Sequence, residues 1–333
     1  MPLELLLAGV LMISLNIYAL GAGADFGGGV WDLQASGPRQ RAQRNAIAHA
    51  IGPIWEANHV WLILVIVVLF VAFPVAFAAL ATALHIPLSV MLIGIVLRGS
   101  AFAFRTYGGD DDATQRRWGR IFAMASVVTP VMLGVSAGAV AAGTIRVREG
   151  RVLTDFLSEW LAPFPFAIGF FTLALFAFLA AVYLTLETDD PRLQNDFRRR
   201  ALLAAVGVGA MALVSFVLSG SGAPSIRRGL AGQWWSLPFQ ALTALVAVGA
   251  MAALETRRFT LARILAMTQV TLILWGWGLA QFPFLIEPDL TFESAAAPAG
   301  VLRALVVALA AGVVLLGPSL AYLYRVFKGR PHA

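Results

Sequence analysis

Long apolar runs separated by short polar stretches dominate the chain. A membrane-crossing helix needs about 20 mainly apolar residues. Nine runs meet that length: 3–24, 54–83, 86–104, 118–143, 160–186, 201–219, 237–254, 261–281 and 303–324. A tight turn around Leu84, His85 and Pro87 is all that parts the second from the third. The first run opens with Glu4 and no Lys or Arg, is too long for a signal-peptide core, and ends in glycines without a clear cleavage site. It is expected to stay as a span. The pattern predicts an all-α, polytopic membrane protein with nine transmembrane helices, arranged as two four-helix bundles plus one extra helix. The whole of 1–333 is expected to form a single integral membrane domain.

Basic residues set the orientation. With nine spans, 17 of the 24 Lys and Arg residues fall on the side that holds the C-terminus and six on the other, with Arg98 inside a span. Cytoplasmic loops are the ones enriched in Lys and Arg, so the N-terminus is expected outside and the C-terminus in the cytoplasm. The formal charge of +6 is then a topological signal, and no nucleic-acid partner is expected. Trp118, Trp160, Trp234 and Trp235 fall at expected interface depths.

Composition narrows the class further. Hydrophobic residues make up 59% of the chain and charged residues 13%, against about 45–50% and roughly 25% in soluble domains. Disorder would need the opposite balance. No inter-span loop has room for a soluble catalytic domain, so any chemistry is expected in or at the membrane. There are no cysteines, which removes disulfides, thiolate zinc sites, iron–sulfur clusters and thiolate haem ligation. No metal site is expected. Of the four histidines only His59 stands at membrane depth, and the eight methionines offer it no partner, so this chain is not expected to ligate haem.

Ionisable groups at membrane depth are costly and mark functional sites by default. Here they are Asp25 at the end of the first span, Glu56 and His59 in the first turns of the second, and Arg98 within the third. Glu56 and His59 are three residues apart and share a helical face; Arg98 lies seven residues before Arg105, about 10 Å deeper at 1.5 Å per residue. The orientation gathers Asp25, Glu56, His59 and Arg98 into a proton-relay cluster open to the cytoplasm, with Asn58, Trp55 and Trp61 as structural polar partners. Three of the four also have a plainer reading, and Glu56 is the hardest to dismiss. Asp25 caps a helix, His59 fills space, and Arg98 is a counter-charge that staples two spans. The glycines at 21–29 lack the spacing of a dinucleotide fingerprint and read as a helix terminator with close backbone packing. Small residues at Gly134, Ala137, Gly138, Ala141, Gly207 and Gly209 predict tight helix contacts.

The segments Ala24-Asp25-Phe26-Gly27-Gly28-Gly29 and Trp55-Glu56-Ala57-Asn58-His59-Val60-Trp61-Leu62 resemble the opening of subunit II of bacterial cytochrome bd-type quinol oxidases. Leu97-Arg98-Gly99, running to Phe102-Ala103-Phe104-Arg105, is similar to that family's third span, and Gly276-Trp277-Gly278 and Pro318-Ser319-Leu320 to its last two. The short length resembles the compact, often cyanide-insensitive branch. The resemblance implies a haem-free respiratory-chain subunit in the bacterial inner membrane, not catalytic alone. Its partner is subunit I, which carries haem b and haem d and oxidises quinol while reducing dioxygen to water. It also implies a proton route through carboxylates matching Asp25 and Glu56, a position where many relatives carry Asp, and a basic residue matching Arg98. A structural quinone, bound lipid and a small accessory transmembrane subunit are left open. Two other readings stand beside it: a proton-coupled secondary transporter, or a purely structural assembly subunit.

Overall fold

A computed structural model describes residues 2–51, 55–107 and 112–328. Among them, eight helices are long and apolar enough to cross a membrane, and a bent pair brings the number to nine if counted as one crossing. The eight are α1 (Leu3–Leu33), α5 (His85–Tyr107), α6 (Asp112–Ala142), α7 (Pro163–Leu184), α8 (Pro191–Gly222), α10 (Ser236–Glu255), α11 (Phe259–Gln281) and α12 (Ala299–Lys328). The bent pair is α2 (Gln40–Ile51) with α3 (Trp55–Ala72), at 51°. Two short helices, α4 (Pro74–Ala83) and α9 (Pro224–Gly232), and two small antiparallel hairpins complete the described chain.

Several boundaries differ from those the hydropathy pattern predicts. The expected second span, whose residue 54 lies outside the described residues, is broken at Phe73, because Pro74 cannot donate its backbone nitrogen to a continuing helix. The turn at Leu84 is where it was expected. The first span does not stop in the glycine run; α1 continues to Leu33, nine residues beyond the predicted end.

The glycines explain how α1 can continue. Glycine in a helix interior costs about 0.5–1 kcal/mol relative to alanine, so its use needs a packing reason. A Cβ on Gly27 would lie 2.0 Å from the Phe176 carbonyl oxygen, and one on Gly29 would lie 2.1 Å from Ser126 Oγ. Neighbouring helices therefore come up against bare backbone. Close packing was read correctly from these residues and termination was not. Gly134 and Gly138 serve the α6–α7 contact in the same way, whereas nothing lies within 4 Å of a Cβ at Gly207 or Gly209. The expected tight contact at that pair is absent among the described residues.

Helix α7 is the centre of the bundle. Residues 175–182 along it are all buried, as expected of a helix that is apolar all round. It packs against α1, α6 and α8, and the Trp31 indole nitrogen donates to the Ala177 carbonyl at 2.7 Å. On the side assigned to the cytoplasm, α2 lies as an amphipathic helix with Gln43, Ile47 and Ile51 buried. Asp196 on α8 holds it there, accepting two bonds from Arg39 (2.8 and 2.7 Å) and one from Gln43 (2.9 Å).

Candidate functional site

The first shared feature of α1, α3 and α5 is a buried polar cluster. Asp25, with 6% of its surface exposed, sits inside α1 and not at its end. Its Oδ2 accepts a 2.7 Å bond from the Asn58 side-chain amide on α3. Arg98 on α5, 2% exposed, donates from Nη2 to the Asp25 main-chain carbonyl at 2.9 Å and from Nε to Ser126 Oγ at 3.2 Å. Its guanidinium carbon stands 5.0 Å from the Phe26 ring centre and 5.1 Å from that of Phe122. Ser126 in turn donates to the Phe122 carbonyl at 2.8 Å. One cation thereby joins α1, α5 and α6 through two hydrogen bonds and two aromatic faces, a geometry in which a desolvated guanidinium is well satisfied.

His59 lies beside this cluster. Its ring centre is 5.9 Å from those of both Tyr18 and Phe26. Tyr18 is fully buried, and its hydroxyl has no hydrogen-bond partner among the described residues.

Glu56 stands elsewhere. It is exposed on the surface of the chain, at the head of a stripe of exposed apolar residues, Val60, Ile63, Val67 and Phe70, on α3. The expected cluster of Asp25, Glu56, His59 and Arg98, open to the cytoplasm, is brought together only in part: Asp25, Arg98 and His59 meet around Phe26, and Glu56 faces outward. The helix is rotated so that Asn58 faces α1, and a residue two positions away points about 200° around the axis. Asn58, expected as a supporting partner, is the direct partner of the carboxylate. Trp61 is half-buried against the main core, while the side chain of Trp55 lies outside those described.

A second acidic layer was not anticipated. Asp32, one heptad beyond Asp25 on α1, is buried, and its carboxylate takes bonds of 3.0 and 3.3 Å from Arg105, with Arg44 Nε at 3.9 Å. The signal was present as matched spacing: Asp25 and Asp32 are seven apart, and so are Arg98 and Arg105.

Among the described residues no group of three or more His, Cys, Asp or Glu side chains is placed to hold a metal ion. His59, packed between Tyr18 and Phe26, is a poor fit to haem ligation, and no step is assigned to a haem on this chain.

A helical bundle with eight membrane-length apolar helices among the described residues, or nine crossings with the bent pair, that carries a buried acid, amide and arginine in its first spans defines a class of membrane-embedded subunit. The family described as cytochrome bd terminal oxidase subunit II matches residues 3–327, and the chain belongs to that family. It is a multi-pass protein of the bacterial inner membrane. A Bacillus subtilis (strain 168) protein, provisionally named a cytochrome bd menaquinol oxidase subunit II, is 22% identical over 93% of this chain and 91% of its own length. Subunit 2 of the cytochrome bd-I ubiquinol oxidase of Escherichia coli (strain K12) is 28% identical over 65% of this chain and 55% of its own length. A chain of the bd oxidase from Geobacillus thermodenitrificans shares the fold, with a TM-score of 0.82 at 24% identity, covering 98% of this chain and 99% of that one. These likenesses do not favour a transporter.

Proposed function

We propose that this chain is the haem-free subunit of a bd-type quinol:oxygen oxidoreductase and that it conducts cytoplasmic protons toward a haem-bearing partner. Quinol oxidation and dioxygen reduction to water would take place on that partner, subunit I. A quinone, lipid and a small accessory subunit are further components such a complex accommodates. In this reading the whole chain, 1–333, acts as one membrane domain.

The observation that carries the proposal is Asp25. It is a carboxylate buried among membrane helices, held in a defined position by Asn58 and by the Arg98 bond to its own carbonyl. Burial disfavours the charged form of a carboxyl group and hydrogen-bond donors favour it; a group under both influences is suited to take up and release a proton. His59 adjoins the carboxylate layer. Glu56 extends the route to the surface, because its exposed apolar stripe is suited to contact with a second membrane subunit.

Arg98 supports a second, narrower reading. Its contacts on two neighbouring helices, α1 and α6, match the staple role, so it acts as a positioning residue for Asp25 and carries no proton itself.

The test uses the purified complex with its haem-bearing partner. Asp25→Asn keeps the volume and removes the titratable group. Haem content is expected to stay native while quinol oxidase turnover per haem falls sharply. Native turnover in a fully assembled Asp25→Asn complex would remove the relay role.

A further inference from the structure

A second charged feature lies at the end of the bundle that the basic residues assign to the outside. Helix α8 ends there at Gly222, α9 follows as a short connecting helix, and α10 starts back at Ser236. An open groove of about 410 Å³ lies between the end of α8 and α9, with Gly220, Pro224, Arg227 and Arg228 in its walls. Its size falls within the range of about 300–1,000 Å³ found for small-molecule sites.

Both arginines are held in place, and neither has an acid. The Arg227 guanidinium carbon stands 5.0 Å from the Phe216 ring centre on α8. It fits because Gly220 is bare: a Cβ there would lie 2.5 Å from Arg227 Nη1. Buried Ile226 and Gly229 fix α9 to the bundle, and a Cβ on Gly229 would lie 2.8 Å from the Ala280 carbonyl oxygen on α11. Arg228 donates to Ser225 Oγ at 2.9 Å. Among the described residues no carboxylate pairs with Arg227 or Arg228, whereas Arg146 on the same side is matched by Asp289 at 3.1 Å. The sequence holds no Asp or Glu at all between Asp196 and Glu255. Adjacent cations repel each other, and outer segments are ordinarily poor in basic residues. The pair calls for an anion from outside the chain.

The surroundings say what kind of anion. Trp234, 88% exposed, follows α9 and marks the depth at which aromatic side chains meet lipid headgroups. On α8, Leu213 and Val217 are exposed, and with Gly220 they fall at i, i+4 and i+7 on one helical face. An apolar strip thus runs up α8 into the charged groove.

We propose that this groove binds the headgroup phosphate of an anionic phospholipid in the outer leaflet, with an acyl chain laid along Leu213 and Val217. The planar guanidinium matches phosphate oxygens with two parallel bonds. A zwitterionic lipid offers the same phosphate but brings its own cation toward Arg227 and Arg228, so the site selects net negative charge. It stands apart from the Asp25 relay and does not depend on it.

The experiment uses the purified complex, stripped of lipid in neutral detergent. Phosphatidylglycerol, phosphatidylcholine or inorganic phosphate is titrated in, and bound lipid is counted by native mass spectrometry. Phosphatidylglycerol is expected to bind about tenfold more tightly than phosphatidylcholine, and inorganic phosphate at equal concentration is expected not to displace it. The double variant Arg227→Gln with Arg228→Gln is expected to retain one phosphatidylglycerol fewer per complex. If it fails to assemble, two exposed positions decide. Arg228→Gln loses a charge-assisted contact and is expected to weaken phosphatidylglycerol on the order of tenfold. Ala231→Glu adds an acid to the groove wall without replacing either arginine and is expected to abolish the preference for the anionic lipid. Native phosphatidylglycerol binding in assembled Arg228→Gln and Ala231→Glu complexes, or equal affinity for the two lipids, overturns the site. Displacement by inorganic phosphate at equal concentration overturns the lipid as its occupant.

Discussion

Asn58 on α3 hands its side-chain amide to the carboxylate of Asp25 on α1 across 2.7 Å, inside a bundle where both residues are buried. This contact fixes the rotation of α3. It turns Asn58 inward and leaves Glu56 on the outer surface. Removing one partner of a buried hydrogen bond costs about 1–3 kcal/mol when the other is left unsatisfied. Asn58→Leu is therefore expected to lower the thermal midpoint of the complex and to slow proton uptake together, whereas Asn58→Ser, with a hydroxyl donor, loses less of both. Heating curves and uptake transients on the same preparations check this.

Glu56 is expected to behave differently because it is exposed among the described residues. Glu56→Leu should leave assembly and haem content intact while turnover per haem falls; Glu56→Asp should retain much of the activity. A loss of assembled complex in Glu56→Leu, with normal turnover in what remains, would assign the residue to subunit contact alone.

Arg98 is expected to reveal itself as a staple. Arg98→Leu removes hydrogen bonds to α1 and α6 and two aromatic contacts, and the breaking of buried charged networks costs about 3–5 kcal/mol. Assembled complex should fall steeply. Arg98→Lys keeps the charge without the planar fork, so assembly should recover in part. Turnover per haem, measured on whatever assembles, should change far less than yield.

Two glycine substitutions should have opposite signs. Gly27→Ala places a Cβ against the Phe176 carbonyl at 2.0 Å, and overpacking of this kind costs about 1–3 kcal/mol or more. Gly207→Ala meets nothing within 4 Å and gains roughly 0.5–1 kcal/mol of helix propensity. Thermal unfolding in detergent separates the two.

Eight of the crossings, or nine with the bent pair, were legible in the sequence because bilayer thickness sets a length that the apolar runs meet; the sorting of Arg and Lys gives the direction expected of them. What a helix does at its ends was less legible. The run Gly21 to Gly29 is the same string whether a helix stops there or slides past two neighbours, and the choice depends on Phe176 and Ser126, which are distant in sequence. Ending α1 too early also hid Asp32, which a continuous helix places in line with Asp25. The exchange of Glu56 for Asn58 has a related cause. Around Val60 to Phe70 helix α3 is apolar on every side, so no polar stripe records which way it faces; only contact with α1 decides. Asp25 and Arg98, by contrast, were identifiable from their depth alone, since few charged residues occupy such positions without a partner.

Proton uptake by the complex carrying Asp25→Asn, followed on a single turnover with native protein alongside, bears most directly on the central claim. With native haem content and native reduction by quinol, the uptake phase is expected to slow severely in the variant. An uptake phase of native rate and amplitude would contradict it and leave this chain a scaffold.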